Sequence, residues 1–446
     1  LKPITNIAAL TRNSFCPISV LCSYSPPNVP TLTTSYAHGV SSFSLQSLTV
    51  GKALQVTAER WPDREAVVFV QSGIRKTFAQ FQHDVDQAAA GLLALGLKKG
   101  DRLGMWGPNT YEWLLMQFAT AKAGIIMVSV NPAYQPQELE LALKKVQCKA
   151  IVCPTQFKTQ RYCDMLRQLC PEMNTAPPGG IKSSRFSELS TVIVLDSQQP
   201  GTFHWNDLMQ AGSSEHYQQL QDIQKQLSFD DPVNIQFTSG TTGSPKGAAL
   251  SHHNIVNNAY FMGLRVGFEW RIAYGTTENS PLTFSGFPVD SMERKAETVG
   301  CIYPHTEAKV VDPTTGTIVP LGVQGELMIR GYCVMLGYWQ EEAKTQESIT
   351  KEGWYKTGDI ASLDKYGYCK IEGRLKDMII RGGENIYPAE IEQFLHTHPK
   401  VQEVQVVGVK DERMGEEICA CIKLKAGQEC TVEEIQAYCR GQVRSI

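Results

Sequence analysis

The chain has 446 residues, enough for two or three domains with a large buried core. Its 42% hydrophobic and 20% charged residues and its net charge of −3 are typical of a globular protein without a nucleic-acid-binding surface. The most hydrophobic stretch, 111–130, is interrupted by Glu112, Gln117 and Lys122, which argues against a transmembrane segment.

The N-terminal region differs in composition from the rest of the chain. Residues 1–58 contain no Asp or Glu, yet they include Lys2, Arg12 and Lys52 and many Ser and Thr. An acid-poor, hydroxyl-rich composition is typical of a mitochondrial transit segment, and a disordered tail is the alternative. We therefore predict that residues 1–50 form a transit or disordered segment and that the protein is located in the mitochondrial matrix.

From residue 50 onward, helical and strand periodicities alternate. The pattern predicts helices over 48–61, 77–97, 109–122 (capped by Asn109), 137–146, 251–262 (capped by Ser251) and 388–398. It predicts strands over 102–106, 124–130, 150–153, 233–237, 248–250, 404–409 and 418–424. This order favours an α/β fold: a large N-terminal domain with mostly parallel sheets, 51–372, and a small α+β C-terminal domain, 373–446.

The stretch Thr238–Gly247, "TSGTTGSPKG", combines hydroxyl side chains, three glycines and one lysine. Glycine allows backbone N–H groups to converge on an anion, the hydroxyl groups are further donors, and Lys246 adds a positive charge. The spacing does not match the phosphate loop of kinases and GTPases. The stretch therefore predicts a different kind of nucleotide site.

Three further motifs follow in the second half of the chain. They are "YGTTE" at 274–278, "YKTGD" at 355–359, and "GRLKD" at 373–377 followed by "RGGENIYP" at 381–388. Taken singly, each motif is also explained by turn chemistry, a solvated charge pair or a hinge-like loop. Their combination in this order is far more specific than any one of them.

Together these motifs resemble the signature blocks of the acyl-adenylate-forming superfamily, and the resemblance extends from about Val50 to the C-terminus. It implies a fatty acyl-CoA ligase that activates a medium-chain fatty acid. In such a reaction the carboxylate attacks the α-phosphate of ATP, which releases pyrophosphate, and the thiol of CoA then displaces AMP. The resemblance implies ATP, Mg²⁺ and CoA as cofactor and co-substrates.

The resemblance also implies roles for individual positions. The phosphate-binding loop would consist of Thr238, Ser239, Gly240, Thr241, Thr242, Gly243, Ser244, Pro245 and Lys246. Tyr274 and Gly275 would line the adenine, Thr276 and Thr277 would lie near the α-phosphate, Glu278 would bind Mg²⁺, and Asp359 with Arg374 would hold the ribose. Lys376 would be the hinge, and Gly382, Gly383 and Glu384 would line the thiol tunnel. Thr241, Lys246 and Glu278 are the predicted catalytic residues.

Two departures from the family pattern bear on activity. Only 26 residues separate Gly247 from Tyr274, where the family has a long block that shapes the acyl pocket. This predicts an internal deletion between about residues 265 and 273 and an incomplete sheet. No Gly-Lys follows Lys52, so the catalytic lysine of the family's C-terminal domain is not matched and that domain is predicted to be truncated. The alternative to a ligase is a catalytically inactive product that retains partial nucleotide binding.

Overall fold

A computed structural model describes residues 26–238, 245–266, 272–381, 384–386 and 388–439. Its largest sheet has eight strands, and their spatial order is Phe203–His204, Thr191–Val194, Ala150–Cys153, Arg102–Trp106, Ile126–Val130, Pro232–Thr238, Lys246–Ser251 and Gly337–Tyr338. The first six strands run parallel to their neighbours. The last two pair antiparallel. The prediction of a mostly parallel sheet therefore holds for this part of the chain.

Helices cover both faces of the large sheet, because its strands alternate apolar side chains to either side. Leu103 and Met105 belong to one core cluster, and Trp106 belongs to the other. The helices are Val50–Arg60, Phe78–Ala94, Tyr111–Ala123, Pro136–Val146, Tyr162–Leu169, Trp205–Ala211, Ser214–Gln226, His252–Val266, Met292–Glu297, Glu342–Ser348, Pro388–His396 and Val432–Cys439. Short 3₁₀ turns lie at Pro171–Asn174, Thr277–Asn279 and Leu375–Asp377.

Two predicted helix starts can be compared with the observed caps. The side chain of Ser251 accepts a hydrogen bond from the backbone N–H of Asn254, as predicted for an N-cap. The prediction for Asn109 was wrong, because Thr110 is the N-cap and its hydroxyl accepts from the N–H of Trp113. Both residue types cap well, so the sequence alone did not separate the two positions.

A second sheet is antiparallel, in keeping with the short strands and frequent turns of the sequence after residue 300. Its five strands lie in the order Tyr36–His38, Thr306–Val311, Gly325–Gly331, Tyr355–Leu363 and Cys369–Arg374. A three-stranded sheet contains Ala273–Gly275, Leu282–Ser285 and Cys301–Ile302. Two hairpins pair Glu65–Phe69 with Ile74–Thr77 and Gln156–Phe157 with Gln160–Arg161.

The C-terminal unit has a small sheet of its own. Its strands lie in the order Glu384–Ile386, Ile379–Arg381, Gly415–Leu424 and Val401–Asp411. The helices Pro388–His396 and Val432–Cys439 pack on this sheet through a separate core that contains Ile379, Ile391 and Leu395. An independent core is the mark of a separate α+β domain.

Part of the predicted transit or disordered segment, residues 1–50, is ordered in the structure. Tyr36–His38 is the edge strand of the five-stranded sheet, Ala37 is buried, and the hydroxyl of Tyr36 donates to Glu307 at 2.5 Å. Residues 1–25 lie outside the described residues, as do residues 267–271 within the predicted deletion. Over the ranges that the structure describes, no helix is both long and apolar enough to cross a bilayer.

Buried His252 joins the N-terminal helix to the large domain. Its Nδ1 accepts a hydrogen bond of 3.1 Å from the N–H of Val50, so the ring nitrogen must be unprotonated. Burial lowers the pKa of His252 to about 4; nearby Asp231 opposes this shift, whereas Lys99 adds to it. The folded state therefore binds fewer protons than the unfolded state between about pH 4 and 6.5, and stability is lost as the pH falls through this window.

The variant His252→Gln tests this link. When the pH is lowered from 7 to 4.5, the unfolding free energy of the wild type should fall by about 2–3 kcal/mol more than that of the variant. This magnitude follows because a shift of one pKa unit corresponds to about 1.36 kcal/mol. Urea denaturation at both pH values measures this difference. The matched control is His83→Gln, because His83 is exposed. Equal losses in the wild type and His252→Gln would contradict the assignment.

Candidate active site

The phosphate-loop stretch connects two antiparallel strands of the large sheet. Thr238 ends the strand Pro232–Thr238, Lys246 begins the strand Lys246–Ser251, and the two residues face each other in register. Ser239, Gly240, Thr241, Thr242, Gly243 and Ser244 lie outside the described residues. The sheet thus brings the two ends of the loop together at the carboxyl end of a parallel strand, where ligands bind in open α/β folds.

Glu278 lies close to Lys246, on the 3₁₀ turn Thr277–Asn279. It is only 8% exposed, and its Oε1 accepts a hydrogen bond of 2.9 Å from the hydroxyl of Tyr338. The Nζ of Lys246 lies 4.9 Å from the centre of the same tyrosine ring. One aromatic side chain therefore contacts both the predicted metal ligand and the predicted phosphate-binding cation.

A second carboxylate, Asp359, is held by two side chains. The hydroxyl of Tyr274 donates to Oδ2 at 2.5 Å, and Nε of Arg374 forms an ion pair with Oδ1 at 2.8 Å. Asp359 is 3% exposed, and burial raises its pKa even though Tyr274 and Arg374 oppose the shift. A carboxylate has about four acceptor positions, so two remain for a ligand such as a diol.

The predicted residues line two adjoining cavities. The first, of about 930 Å³, is lined by Thr238, Lys246, Gly275, Thr276, Thr277, Glu278, Arg374 and Lys376 among others. The second, of about 690 Å³, lies between the large and small domains and is lined by Tyr274, Gly275, Asp359, Arg374 and Lys376 among others. Residues from four separate motifs thus meet in one region of the structure.

The remaining predicted positions are less defined. Lys376 is half exposed, and its Nζ lies 3.9 Å from Oδ1 of Asp377. At this distance an exposed ion pair contributes little to stability. Glu384 begins a short strand whose backbone pairs with Arg381. Pro245 is described, whereas Gly382 and Gly383 lie outside the described residues. Of the three residues predicted to line the thiol tunnel, the structure describes only the backbone of Glu384, so the tunnel stays a prediction.

Several lining residues were not predicted from the sequence as site residues. They are Asn131, Phe237, Glu326, Tyr338, Ser348, Tyr355, Lys356, Thr357, Gly358 and Asp377. Lys356 and Thr357 belong to the "YKTGD" motif, which was a signal for them. Tyr338 follows a glycine with φ of 147° in "LGYW", and nothing in that stretch distinguishes a site residue from an ordinary strand.

The described end of the loop is anchored by Lys145. Its Nζ donates to the carbonyl of Pro245 at 2.8 Å and pairs with Oε2 of Glu341 at 2.5 Å. Lys344 binds the other oxygen of Glu341, and although burial opposes the shift, the two lysines hold the pKa of Glu341 below its usual value. The helix Pro136–Val146 is thereby tied to the loop.

Removing this anchor should destabilise the fold. Lys145→Met leaves the partly buried carbonyl of Pro245 and part of the Glu341 charge without a partner, and it should cost about 1–3 kcal/mol of unfolding free energy. Lys144→Met is the control, since Lys144 lies on the same helix but pairs with Glu140 at the surface. Thermal and urea unfolding compare the variants, and equal stabilities of Lys145→Met and Lys144→Met would refute the anchor.

Family models and known proteins match most of the chain. Residues 54–272 and 264–339 match the AMP-binding enzyme family, and residues 390–446 match the AMP-binding enzyme C-terminal domain. The chain is 62% identical over 525 aligned positions to the mitochondrial medium-chain acyl-CoA ligase ACSF2 of Danio rerio, covering 94% of this chain and 87% of the relative. It is 48% identical to the Homo sapiens protein of that name, covering 92% and 84%.

Solved structures share the fold. ATP-bound MatB from Rhodopseudomonas palustris matches with a TM-score of 0.74 and 21% identity over 90% of this chain and 93% of that chain. The anthranilate CoA ligase AuaEII, in complex with anthranoyl-AMP, matches with a TM-score of 0.71 and 19% identity over 89% and 91%. The α/β fold and the family predicted from the motifs are confirmed, and the chain belongs to the family of AMP-binding enzymes.

Proposed function

We propose that this protein is an AMP-forming fatty acid–CoA ligase of the mitochondrial matrix that activates a medium-chain fatty acid. The observation that carries the proposal is the convergence of Lys246, Glu278, Asp359 and Arg374 on two adjoining cavities. The substrate class and the mitochondrial location are supported by the 62% identity to a mitochondrial medium-chain acyl-CoA ligase. The acid-poor N-terminal composition supports the location further.

The charged residues of the cavities suit a nucleoside triphosphate. Lys246 at the end of the loop offers a cation to the β- and γ-phosphates, while Asp359 offers acceptors to the two ribose hydroxyls. Arg374 keeps Asp359 oriented, because its guanidinium forms an ion pair with the oxygen that Tyr274 does not contact. Tyr274, which packs edge-on against Phe284, presents an aromatic surface beside Gly275 for the adenine.

The residues present fit a bound Mg²⁺ ion. Glu278 lines the larger cavity, and the bond from Tyr338 occupies one of its oxygens, which leaves the other for a hard cation that prefers oxygen ligands. When bound, Mg²⁺ would offset the negative charge of the phosphates as the carboxylate approaches. Lys246 would add positive charge at the same place, so two repelling anions can be held together.

The fatty acid and CoA would meet the nucleotide near the hinge Lys376, where the two cavities share Gly275, Arg374, Lys376 and Asp377. Holding the carboxylate against the α-phosphate replaces a bimolecular encounter with a positioned one. Rotation of the small domain about Lys376 would then bring Gly382, Gly383 and Glu384 toward the thiol. Thr241 would donate to the phosphates during the first step.

The variant Lys246→Ala tests the nucleotide site. Hydrogen bonds to charged groups are worth about 1.5–3 kcal/mol, so the affinity for ATP and the adenylation rate should each fall at least tenfold. Equilibrium binding of a fluorescent ATP analogue and pyrophosphate release with octanoate measure the two quantities. The control is Lys225→Ala, since Lys225 is exposed on the helix Ser214–Gln226. Unchanged binding and rate would rule out the assigned role.

The pH dependence of nucleotide binding tests Asp359. Because burial raises the pKa of this carboxyl, it is protonated at a higher pH than an exposed Asp, and a protonated carboxyl accepts ribose hydroxyls poorly. Affinity for the ATP analogue should therefore fall as the pH is lowered from 8 toward 5. Asp359→Asn should bind weakly and without this pH dependence. A variant that keeps the wild-type pH profile would show that Asp359 is not the titrating group.

A second function is favoured by one observation: the short interval between Gly247 and Tyr274. The alignment with the Danio rerio relative extends over 525 positions while this chain has 446 residues, which supports an internal deletion in this chain. The chain would then bind nucleotide without turnover, because an acyl group that is not positioned gains no proximity advantage. A coupled assay with ATP, Mg²⁺, CoA and fatty acids of short, medium and long chain separates the two functions. Turnover that Asp359→Ala abolishes supports the ligase.

A further inference from the structure

The buried Tyr338 lies between two charged groups of the cavity that belong to different segments of the chain. Its hydroxyl donates to Oε1 of Glu278 at 2.9 Å, and the Nζ of Lys246 lies 4.9 Å from the centre of its ring. Lys246 and Glu278 line the same cavity. The aromatic ring thus contacts an anion at its hydroxyl and a cation at its face.

The backbone fixes the position of Tyr338. The strand Gly337–Tyr338 pairs antiparallel with the strand that Lys246 begins, so that Tyr338 lies opposite Ala248. The N–H of Tyr338 donates to the hydroxyl of Thr345 at 2.9 Å. The side chain is only 7% exposed and packs in a cluster with Ala248, Leu250 and Met335. These contacts hold the ring of Tyr338 in one orientation.

We propose that Tyr338 is a positioning residue that keeps Glu278 and Lys246 apart and available, the first for a divalent cation and the second for phosphate. The reason is electrostatic. A direct pair between the two side chains would neutralise both, and Glu278 could then bind no cation and Lys246 no phosphate. A phenol hydroxyl orients the carboxylate without cancelling its charge, and the ring face attracts the ammonium without consuming a phosphate contact. This inference rests on the proposed function, in which Glu278 and Lys246 meet Mg²⁺ and ATP.

The two contacts of Tyr338 can be removed separately. Tyr338→Phe keeps the ring and deletes the hydroxyl, so it should affect only Glu278. Losing a hydrogen bond to a metal-binding carboxylate typically costs 10–100-fold in metal affinity. The Mg²⁺ concentration for half-maximal nucleotide binding should rise by about that factor, while saturating Mg²⁺ should restore the wild-type affinity. Tyr338→Leu also deletes the ring, and saturating Mg²⁺ should not rescue its nucleotide affinity.

The matched control is Tyr368→Phe. Tyr368 is also buried, its hydroxyl donates to Oδ1 of Asp290 at 2.5 Å, and Arg294 lies 4.3 Å above its ring. Like Tyr338, it donates to a carboxylate and has a cation near its ring, but it belongs to another core cluster and does not line the cavity of Lys246 and Glu278. A Tyr368→Phe variant should therefore bind Mg²⁺ and nucleotide like the wild type, even if its stability falls.

The experiment titrates the wild type, Tyr338→Phe, Tyr338→Leu and Tyr368→Phe with a fluorescent ATP analogue at several Mg²⁺ concentrations. Electron paramagnetic resonance of Mn²⁺ with the analogue reports cation binding without turnover. In a Glu278→Gln background, Tyr338→Phe should add no further loss of cation affinity. If the wild type binds nucleotide but Tyr338→Phe shows the wild-type Mg²⁺ dependence, the role of Tyr338 is refuted while the proposed function stands. If the wild type does not bind the nucleotide, the proposed function and the role of Tyr338 are both refuted.

Discussion

The strand Lys246–Ser251 is the constraint on which the site depends. It pairs antiparallel on one side with Pro232–Thr238 and on the other with Gly337–Tyr338. The first pairing sets Thr238 against Lys246 and so closes the loop between them, and the second sets Tyr338 beside the same lysine. Because the register of a strand decides which face each side chain takes, a shift by one residue would turn Lys246 away from the cavity.

Two carboxylates at the cavities, Asp359 and Glu278, share one arrangement: each accepts a hydrogen bond from a tyrosine. Tyr274 donates to Asp359, and Tyr338 donates to Glu278. At Glu278 the tyrosine donor holds the carboxylate in place and leaves its negative charge intact, whereas a lysine would pair with it and weaken its attraction for a cation. The cost of burying these charges is visible in Asp359, whose pKa is raised by desolvation.

The position of the cavities follows from the two-domain organisation. The strand Cys369–Arg374 ends the antiparallel sheet, and the small domain begins at the next strand, Ile379–Arg381. The connection between them, with Arg374 and Lys376, lines both cavities. Since the two domains have separate cores, a change in their relative orientation alters the shape of the cavities without unfolding either domain.

The sequence by itself determined the α/β order of the large domain, the family, and the motifs of the site, because local periodicity and short spacings depend on neighbouring residues. The strands Arg102–Trp106 and Ala150–Cys153 match their predicted bounds. Two features were decided only by tertiary structure. The strand Tyr36–His38 is stabilised by pairing with Thr306–Val311, which no local pattern in an acid-poor segment indicates. Tyr338 meets Glu278 and Lys246 only through sheet register and packing, and contacts between residues so far apart in sequence leave no trace in the spacing of any motif.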